Sequence, residues 1–376
     1  MVHRDADALV PHDTVDCSVL VAVFNEAPYI KESVASMRGQ RFPGNLEFLF
    51  ADGGSTDGTR EILNSLAAQD RRIQVFDNPH RIQASGLNLA LSRARGRWVA
   101  QLDAHAVYPT DYIACGVQRL AKGDTRWVSG PMVPRGRGLV SRVVALALES
   151  RLGRGGSRKW GNVRIHDRRE YEYELDSGVF SGVWTRAVLE EYGGWDECFR
   201  SNLDSELAGR FLARGERLVC VPAMAAAYAP RESLTRLWRQ YQAYGEYRVK
   251  TARRHPHTLR QSHLLPPAMA LDLLVAAVGP RRVRLAARAG VGLYAGALAV
   301  AGVQGASRAE QLIDAIVLPV VLATMHIANG VGMLLGIKRH GSPWAAFASL
   351  AGLHLLAESP TPGPEPVHAP SFKRAP

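Results

Sequence analysis

The sequence predicts an α/β domain with a mostly parallel sheet flanked by helices, followed by a C-terminal α-helical membrane region. Short apolar runs alternate with helix-like stretches through the first hundred residues, a pattern typical of βαβ units. From Leu264 onward the chain becomes apolar, and Leu312–Ile337 is long enough to span a bilayer. A chain of 376 residues has room for two or three domains and a large core.

Apolar runs bounded by polar residues predict the strands of the sheet, namely Ser18–Phe24, Glu47–Ala51, Ile73–Phe76 and Trp98–Leu102. Apolar residues at helical spacing predict the intervening helices, Ala27–Gly39, Asp57–Ala68 and Ala84–Arg95. Ligands bind outside the carboxyl ends of parallel strands. We therefore expect the loops after these strands to converge there: Asn25-Glu26, Asp52–Thr59, Arg81 and Asp103–His105.

The loop Asp52–Thr59 follows a strand and leads into a helix. Its glycines let a ligand approach the backbone, and Asp52 is placed to accept hydrogen bonds from a base or ribose. Asp57 is the favoured N-cap of the helix, with Thr56 as the alternative. The spacing matches neither Gly-x-Gly-x-x-Gly nor a P-loop with its lysine. Arg81 either pairs with a phosphate or is solvated.

Asp103 and His105 lie two residues apart, just past the strand that ends at Leu102. A carboxylate and an imidazole in this position can turn toward one divalent cation. The imidazole favours Mn²⁺, and Mg²⁺ is the alternative. The other interpretation of the pair is an ordinary polar junction between strand and loop.

Glycines and carboxylates mark a different kind of site in the second half of the chain. A polar, arginine-rich stretch, Gly153–Glu174, is predicted to be a mobile loop, and Ser177–Trp184 is a short strand flanked by glycines. Asp204 and Glu206 fall in the first turn of a predicted helix, where carboxylates suit the helix dipole. The functional alternative for this pair is a general base.

Positive charge and apolar segments dominate the rest of the chain. The net charge of +11 predicts an anionic partner: phosphates, nucleic acid or an acidic membrane surface. Pro230–Arg254 reads as a basic amphipathic helix, suited to a membrane surface or to solvent. The basic residues cluster near apolar segments rather than with stacking aromatics, which disfavours nucleic acid. The four cysteines form no Cys-x-x-Cys pair, which disfavours a disulfide framework or a zinc site.

The distribution of arginine and lysine predicts how the apolar segments meet the membrane. The positive-inside rule is satisfied if Leu264–Gly279 is interfacial or re-entrant while Ala289–Val303 and Leu312–Ile337 cross as a hairpin. Three full crossings are the alternative, and they would place the cluster Arg281–Arg288 outside. The N-terminus has no apolar core of signal-peptide type, so it is expected to stay in the cytoplasm. Ser359–Pro376 is predicted to be a disordered tail.

Taken as a set, these motifs resemble family 2 glycosyltransferases. The resemblance rests on Ala22–Glu26, Ala51–Glu61, the Asp103 loop and Asn202–Leu207, in that order and spacing across roughly residues 18–214. Three further motifs, Asn78–Gln83, Asp103–Tyr108 and Pro230–Gly245, are similar to membrane-associated glucosyltransferases of succinoglycan-type exopolysaccharide synthesis.

The resemblance implies a nucleotide-sugar-binding domain of GT-A-like fold and a role for each matching residue. Asn25, Glu26, Asp52 and Arg81 would line the nucleoside pocket. Asp103 would be the first acid of the family's Asp-x-Asp metal motif, with His105 as a departure at the second. Asp204 matches the catalytic base, but Leu203 stands where an acid commonly precedes it, so Glu206 is a second candidate. The expected acceptor region comprises Gly178, Gly182, Trp195, Arg239, Gln240 and Tyr244.

The resemblance also implies the reaction and the division of the chain. The Gln-x-x-Arg-Trp signature of processive synthases is missing, because Gln240–Gly245 stands in its place, and we expect addition of a single sugar. The predicted segments are a tail (1–17), the catalytic domain (18–228), the basic helical segment (229–262), the membrane helices (263–340) and an apolar segment with a Pro-rich tail (341–376).

We expect an inverting transferase that moves a sugar from a nucleotide-sugar donor to a lipid-linked saccharide at the cytoplasmic membrane, in exopolysaccharide or cell-envelope glycan synthesis. Two alternatives remain at this stage: transfer to polyprenyl phosphate, and a non-catalytic membrane protein that binds a nucleotide sugar.

Overall fold

An eight-stranded sheet forms the centre of the catalytic domain, and a three-stranded sheet lies beside it. The computed structural model describes residues 14–160 and 171–352. Residues 1–13 of the predicted tail, the middle of the predicted loop Gly153–Glu174 and all of Ser359–Pro376 lie outside them. The strands are β1 Cys17–Val23, β2 Leu46–Asp52, β3 Ile73–Asp77, β4 Trp98–Gln101, β5 Ala106–Val107, β6 Trp127–Ser129, β7 Met132–Pro134, β8 Tyr173–Leu175, β9 Gly182–Thr185, β10 Leu218–Cys220 and β11 Ala226–Tyr228.

Helices cover the sheets and continue into the C-terminal region. They are α1 Ile30–Arg38, α2 Thr59–Gln69, α3 Gln83–Arg93, α4 Tyr112–Leu120, α5 Leu139–Glu149, α6 Arg151–Arg154, α7 Arg186–Glu191, α8 Leu203–Ala213, α9 Leu234–Arg254, α10 Leu265–Val278, α11 Arg281–Ala306, α12 Leu312–His340 and α13 Trp344–Leu350. The four predicted strands and the helices between them are confirmed to within a few residues.

The larger sheet has the order β3-β2-β1-β4-β9-β6-β10-β8. Strands β1 to β4 are parallel to their neighbours in this group, whereas β9 runs antiparallel to β4 and β6. The register pairs Val23 with Asp52 and Asp52 with Asp77, so these three strands end side by side. The sheet therefore brings the predicted loops to one edge, as expected.

Strand burial explains why the apolar runs are nearly continuous. Every residue of β2 is buried, as are six of the seven residues of β1, because helices cover both faces of the sheet. One buried cluster lies against α3 and α8, and a second against α1 and α4. The site loops are thus carried by a rigid, packed scaffold.

The start of α2 differs from the prediction. Gly58, not Asp57, precedes the first helical residue, and its φ of 94° is a left-handed conformation that favours glycine. Asp57 nevertheless accepts hydrogen bonds from the Thr59 backbone N–H (3.1 Å) and the Thr59 hydroxyl (2.5 Å). The carboxylate stabilises the helix start from one residue further out than predicted.

Three C-terminal helical segments are long and apolar enough to cross a membrane: Gln261–Val278, Arg281–Ala306 and Leu312–His340. Helix α11 extends beyond the predicted segment Ala289–Val303 at both ends, back to Arg281 and on to Ala306. Large apolar side chains on α10 to α12 are exposed, Val278 and Leu293 by more than 70%. Such a surface is typical of membrane contact.

Helix α9 packs against α12 over its length, joining the catalytic domain to the membrane region. Glycines on both helices allow this approach. A Cβ atom on Gly245 would lie 2.0 Å from the Asn329 carbonyl oxygen, and one on Gly332 would lie 2.0 Å from that of Gln242. Helix α9 begins at Leu234 rather than Pro230, with the Ser233 hydroxyl accepting a hydrogen bond from the Arg236 N–H (3.3 Å). The helix is therefore an internal connector rather than one lying free on a membrane surface.

Candidate active site

Two neighbouring loops at the carboxyl edge of the sheet are joined by hydrogen bonds from Asn25. Its backbone N–H donates to the Ser55 hydroxyl (2.9 Å), and its side-chain oxygen accepts from the Thr56 N–H (2.8 Å). Asn25 has a φ of 56°, and Arg81 and Asn202 share this left-handed conformation. These are the only described non-glycine residues with positive φ, and all three line one cleft. Strained backbone of this kind is typical of functional sites.

The predicted nucleoside residues divide between the cleft and the layer beneath it. Asn25, Glu26, Gly53 and Arg81 line the cleft. The buried Asp52 carboxylate instead accepts a hydrogen bond from the Ser55 hydroxyl (2.6 Å) and faces Arg60 Nη1 at 3.4 Å. Asp52 thus fixes the loop that carries Gly53, and in this conformation its oxygens are engaged within the protein.

Glu26, Asp103 and His105 form a cluster of ionisable groups in the cleft. The backbone of Asp103 is held by two hydrogen bonds: its N–H donates to the Tyr108 hydroxyl (2.7 Å) and its carbonyl accepts from the Ser33 hydroxyl (2.9 Å). Burial, together with the nearby Glu26 and Asp204, raises the pKa of Asp103 to about 6 against the lowering effect of His105. Burial lowers the pKa of His105, but Glu26 and Asp103 outweigh it and hold that pKa above its ordinary value.

The Asp103 and His105 side chains fit a divalent cation. His105 Nδ1 is buried and forms no hydrogen bond of ordinary geometry with a described residue, although it lies 3.2 Å from Glu26 Oε1. The part of the chain that the structure describes holds no group of three His, Cys, Asp or Glu side chains placed to bind a metal. Mg²⁺-type sites need only one or two carboxylates, with substrate phosphates and water completing the shell. A cation held by these two side chains would therefore need oxygen atoms from a ligand or from water to complete its shell.

Asp204 lies in the first turn of α8, opposite this cluster. Asn202 precedes the helix, and its side-chain amide donates to the Tyr244 carbonyl oxygen (3.0 Å), which ties the helix start to α9. Lys159 Nζ lies 3.8 Å from Asp204 Oδ2. Gly178 packs directly beneath, since a Cβ there would lie 2.0 Å from the Asp204 carbonyl oxygen. The predicted acceptor residue Gly178 thus supports the backbone of Asp204.

Two cavities meet at Asp204. The first is the cleft already described, which has a volume of about 630 Å³ and contains Asp103, His105 and Arg81. A second chamber, of about 540 Å³, extends from Asp204 to the membrane helices α10 and α12. Residues common to both cavities are Lys159, Trp160, Asn202, Asp204 and Tyr244. A side chain at this boundary can contact two different ligands at once.

Glu206 points away from both cavities. Its fully buried carboxylate pairs with Arg210 (2.8 Å), Arg254 (3.3 Å) and His255 (3.4 Å). Burial raises its pKa, but the His255 and Arg210 partners outweigh burial and hold that pKa below its ordinary value. Successive helical residues are about 100° apart, so positions 204 and 206 face nearly opposite sides of α8. The geometry gives Glu206 a structural position and leaves Asp204 as the carboxylate in reach of ligands.

The predicted acceptor residues also separate into two groups. Arg239, Gln240 and Tyr244, predicted for the acceptor region, line the cleft that contains Asp103 and His105, and Tyr244 also lines the second chamber. Trp195 is fully buried against Trp184, and a Cβ on Gly182 would contact the Trp127 and Trp184 rings. Both residues lie in the core, where they support the sheet without lining either cavity.

Sequence reasoning missed several basic residues of the cleft. Lys159, Arg200, Arg231 and Arg236 all line it. Arg231 belongs to the motif Pro230–Gly245 and lies close to the start of α9, and this position could have marked it as a residue of the cleft. Lys159 had none, because the polar stretch around it has no periodicity.

Comparison with known proteins places this architecture in a defined class. A mostly parallel sheet flanked by helices, with its loops gathered at the carboxyl edge, is typical of the GT-A fold of glycosyltransferases. Residues 18–180 match the profile of glycosyl transferase family 2. The succinoglycan biosynthesis protein ExoA of Rhizobium meliloti is 32% identical over 255 residues, covering 67% of this chain and 74% of that protein. The chain belongs to glycosyl transferase family 2 and is a glycosyltransferase.

Two further similarities extend this result. A Methanococcus voltae dolichyl N-acetyl-α-D-glucosaminyl phosphate 3-β-D-2,3-diacetamido-2,3-dideoxy-β-D-glucuronosyltransferase is 25% identical over 238 residues, covering 61% of this chain and 71% of that protein. The mannosyltransferase PcManGT from Pyrobaculum calidifontis, solved in complex with GDP-Man and Mn²⁺, superposes with a TM-score of 0.54 at 22% identity. The superposition covers 86% of this chain and 88% of that one, which supports the GT-A-like fold including the helices that follow it.

Proposed function

We propose that this chain is an inverting glycosyltransferase that moves one sugar from a nucleotide-sugar donor to a lipid-linked saccharide at the cytoplasmic face of a membrane. The observation that carries the proposal is the position of Asp204 at the boundary between two cavities. One cavity holds the candidate metal pair, and the other reaches the apolar helices. The names of the two curated relatives, one in succinoglycan biosynthesis and one acting on a dolichyl-linked sugar, agree with such an acceptor.

On the donor side, Asn25, Glu26 and Arg81 bind the nucleoside part of the donor, and Asp103 with His105 faces its diphosphate. These two side chains would hold a divalent cation, Mn²⁺ or Mg²⁺. The chemistry that such an ion supplies when bound is neutralisation of the charge on the departing nucleoside diphosphate. Arg231, Arg236 and Arg239 add positive charge to the same cleft. These arginines attract the anionic donor and stabilise the diphosphate after the sugar has left.

On the acceptor side, Asp204 acts as the general base. Its carboxylate takes the proton from the acceptor hydroxyl while that oxygen attacks the anomeric carbon of the donor sugar. The bond from this carbon to the diphosphate oxygen breaks on the opposite face, and its electron pair stays with the diphosphate. A positioned base contributes roughly 10²–10⁴-fold to the rate. Lys159, 3.8 Å from the carboxylate, keeps Asp204 oriented toward the boundary of the cavities.

The test uses membranes containing the full chain and a panel of radiolabelled nucleotide sugars, followed by extraction of the lipid fraction. The proposal expects label in a lipid-linked saccharide that carries one added sugar. Label on a lipid with a single sugar indicates transfer to polyprenyl phosphate, and donor binding with no turnover indicates the non-catalytic alternative. Either result contradicts the proposed acceptor.

A matched pair of variants tests the role of Asp204. Asp204→Asn should lower transfer by about 10²–10⁴-fold while binding of the nucleoside diphosphate is retained. Asp111→Asn makes the same chemical change at an exposed position outside both cavities and should leave transfer unchanged. Equal turnover in the two variants would remove Asp204 from the mechanism.

A further inference from the structure

The second chamber carries an excess of positive charge close to Asp204. Its walls contain five Lys and Arg side chains, Arg151, Arg154, Lys159, Arg248 and Arg260, but only two carboxylates, Asp176 and Asp204. Arg260 pairs with Asp176, and Lys159 faces Asp204. Arg248 has no ion-pair or hydrogen-bond partner among residues 14–160 and 171–352. The chamber therefore presents unneutralised cations toward its interior.

Burial and neighbouring cations lower the pKa values of two residues in this chamber, Arg248 and Lys159. Burial, with a smaller contribution from the neighbouring Arg260, lowers the pKa of Arg248 to about 10, and Asp204 opposes this shift. Burial likewise lowers the pKa of Lys159, and Arg248 and Arg260 contribute in the same direction. Grouping several cations costs free energy unless an anion compensates them. The cluster has the character of a binding site for a phosphate-bearing group.

The wall of the second chamber becomes apolar where it reaches the membrane helices α10 and α12. Leu265 and Pro266 at the start of α10, and Met325 in the middle of α12, form an apolar wall. Leu148 and Leu152 line it from the catalytic domain, and Leu152 and Leu265 are partly exposed at 36% and 51%. A ligand that fits both parts must combine an anionic group with an apolar chain. Nucleotides, sugars and free phosphate lack the second property.

We infer that the second chamber binds the phosphate or diphosphate headgroup of an isoprenoid-linked acceptor, with Arg248 as its principal phosphate-binding residue. The inference rests on the proposed function, because it assigns the acceptor's position relative to Asp204. Arg248 and Arg260 hold the headgroup, the apolar wall receives the first units of the chain, and the saccharide extends to the boundary at Asp204. The guanidinium of arginine suits this task, because it binds phosphate oxygens with two parallel hydrogen bonds.

The test measures binding rather than turnover. The full chain in phosphatidylcholine nanodiscs is titrated with farnesyl diphosphate, and separately with a nucleoside diphosphate and Mn²⁺. Arg248→Gln should weaken farnesyl diphosphate binding about tenfold or more, with the Kd for the nucleoside diphosphate changed less than about twofold. Arg253→Gln, at an exposed position on the same helix outside the chamber, is the matched control and should leave both Kd values unchanged. An unchanged Kd for farnesyl diphosphate in Arg248→Gln would overturn the inference.

A second variant and two further probes distinguish the possible sources of the anion. Arg248→Lys keeps the charge but loses the forked geometry, so it should fold if Arg248→Gln does not and should still weaken binding. Inorganic pyrophosphate should bind at least about tenfold more weakly than farnesyl diphosphate, because it lacks the apolar chain. Equal affinity would make the chamber a free-phosphate site. Loss of farnesyl diphosphate binding in phosphatidylglycerol nanodiscs would make it a site for bulk anionic lipid, and either outcome contradicts the inference.

The two proposals fail in different ways. A wild-type chain that binds farnesyl diphosphate through Arg248 but transfers no sugar would refute the proposed function and retain the headgroup site. A chain that transfers sugar normally, with the same acceptor KM in wild type and Arg248→Gln, would retain the function and refute the headgroup site.

Discussion

Replacement of Gly178 by alanine should separate positioning of the base from binding of the donor. A Cβ atom at this position would lie 2.0 Å from the Asp204 carbonyl oxygen, whereas real Cβ contacts are not shorter than 3.0 Å. The Gly178 backbone and the start of α8 must therefore move apart by at least 1.0 Å, the difference between these two distances. A shift of about 1 Å in a reacting group is enough to lower a rate about 100-fold. We expect kcat to fall by that factor while the Kd of the nucleoside diphosphate changes less than about twofold.

The assay compares transfer of labelled sugar with nucleotide binding in purified full-length protein. Gly138→Ala is the matched control, because a Cβ there would meet only the Ser141 hydroxyl, at 3.9 Å, and the backbone has a negative φ. A melting temperature close to that of the wild type excludes global unfolding as the cause. If Gly178→Ala turned over at the wild-type rate, either α8 yields without moving Asp204 or Asp204 is not the base. Both outcomes refute the reasoning.

Two further predictions concern Glu206 and His105. Glu206→Gln leaves Arg210 and Arg254 without their buried partner and should lower the free energy of unfolding by about 3–5 kcal/mol. The control is Glu190→Gln, which removes an exposed ion pair and should lower the free energy of unfolding by less than about 1 kcal/mol. The pKa of Glu206 lies below its ordinary 4.5, so its contribution to stability is complete above that pH and is lost as the pH falls through the lowered pKa. The stability difference between wild type and Glu206→Gln, followed by thermal unfolding, should therefore shrink on acidification, and a constant difference would contradict the assignment. His105→Asp replaces an imidazole by a carboxylate and should raise the ratio of Mg²⁺- to Mn²⁺-supported transfer; an unchanged ratio would remove His105 from the metal site.

The donor side could be predicted from sequence because its parts follow the order of the chain. Each loop comes directly after a strand, and parallel strands end at one edge, so the alternation of strand and helix was enough to bring Asn25, Arg81 and Asp103 together. The register of the strands then fixes which residues are neighbours. Local pattern and global topology agree in this part of the molecule, and no long-range information was needed.

Helix geometry alone could have distinguished the two candidate carboxylates of α8, Asp204 and Glu206. Asp204 matched the base of the family, and Glu206 was retained as a second candidate because Leu203 stands where an acid commonly precedes that base. Two positions along a helix correspond to about 200° of rotation, so only one of them can face a given cavity. Which one faces the ligand depends on the packing of α8. In the structure, Glu206 is fully buried beside Arg210 and Arg254, whereas Asp204 lines both cavities.

The second chamber could not be predicted from the sequence, because the residues that line it lie far apart along the chain. Lys159, Asp204, Arg248, Arg260 and Met325 come from five separate segments. They meet only because α9 packs against α12, and that contact depends on Gly245 and Gly332 at the crossing. In the sequence, Arg248 was one of many positive charges on a helix suited to a membrane surface or to solvent. The packing of α9 against α12 turns that charge inward, and Arg248 thereby lines the same chamber as Asp204.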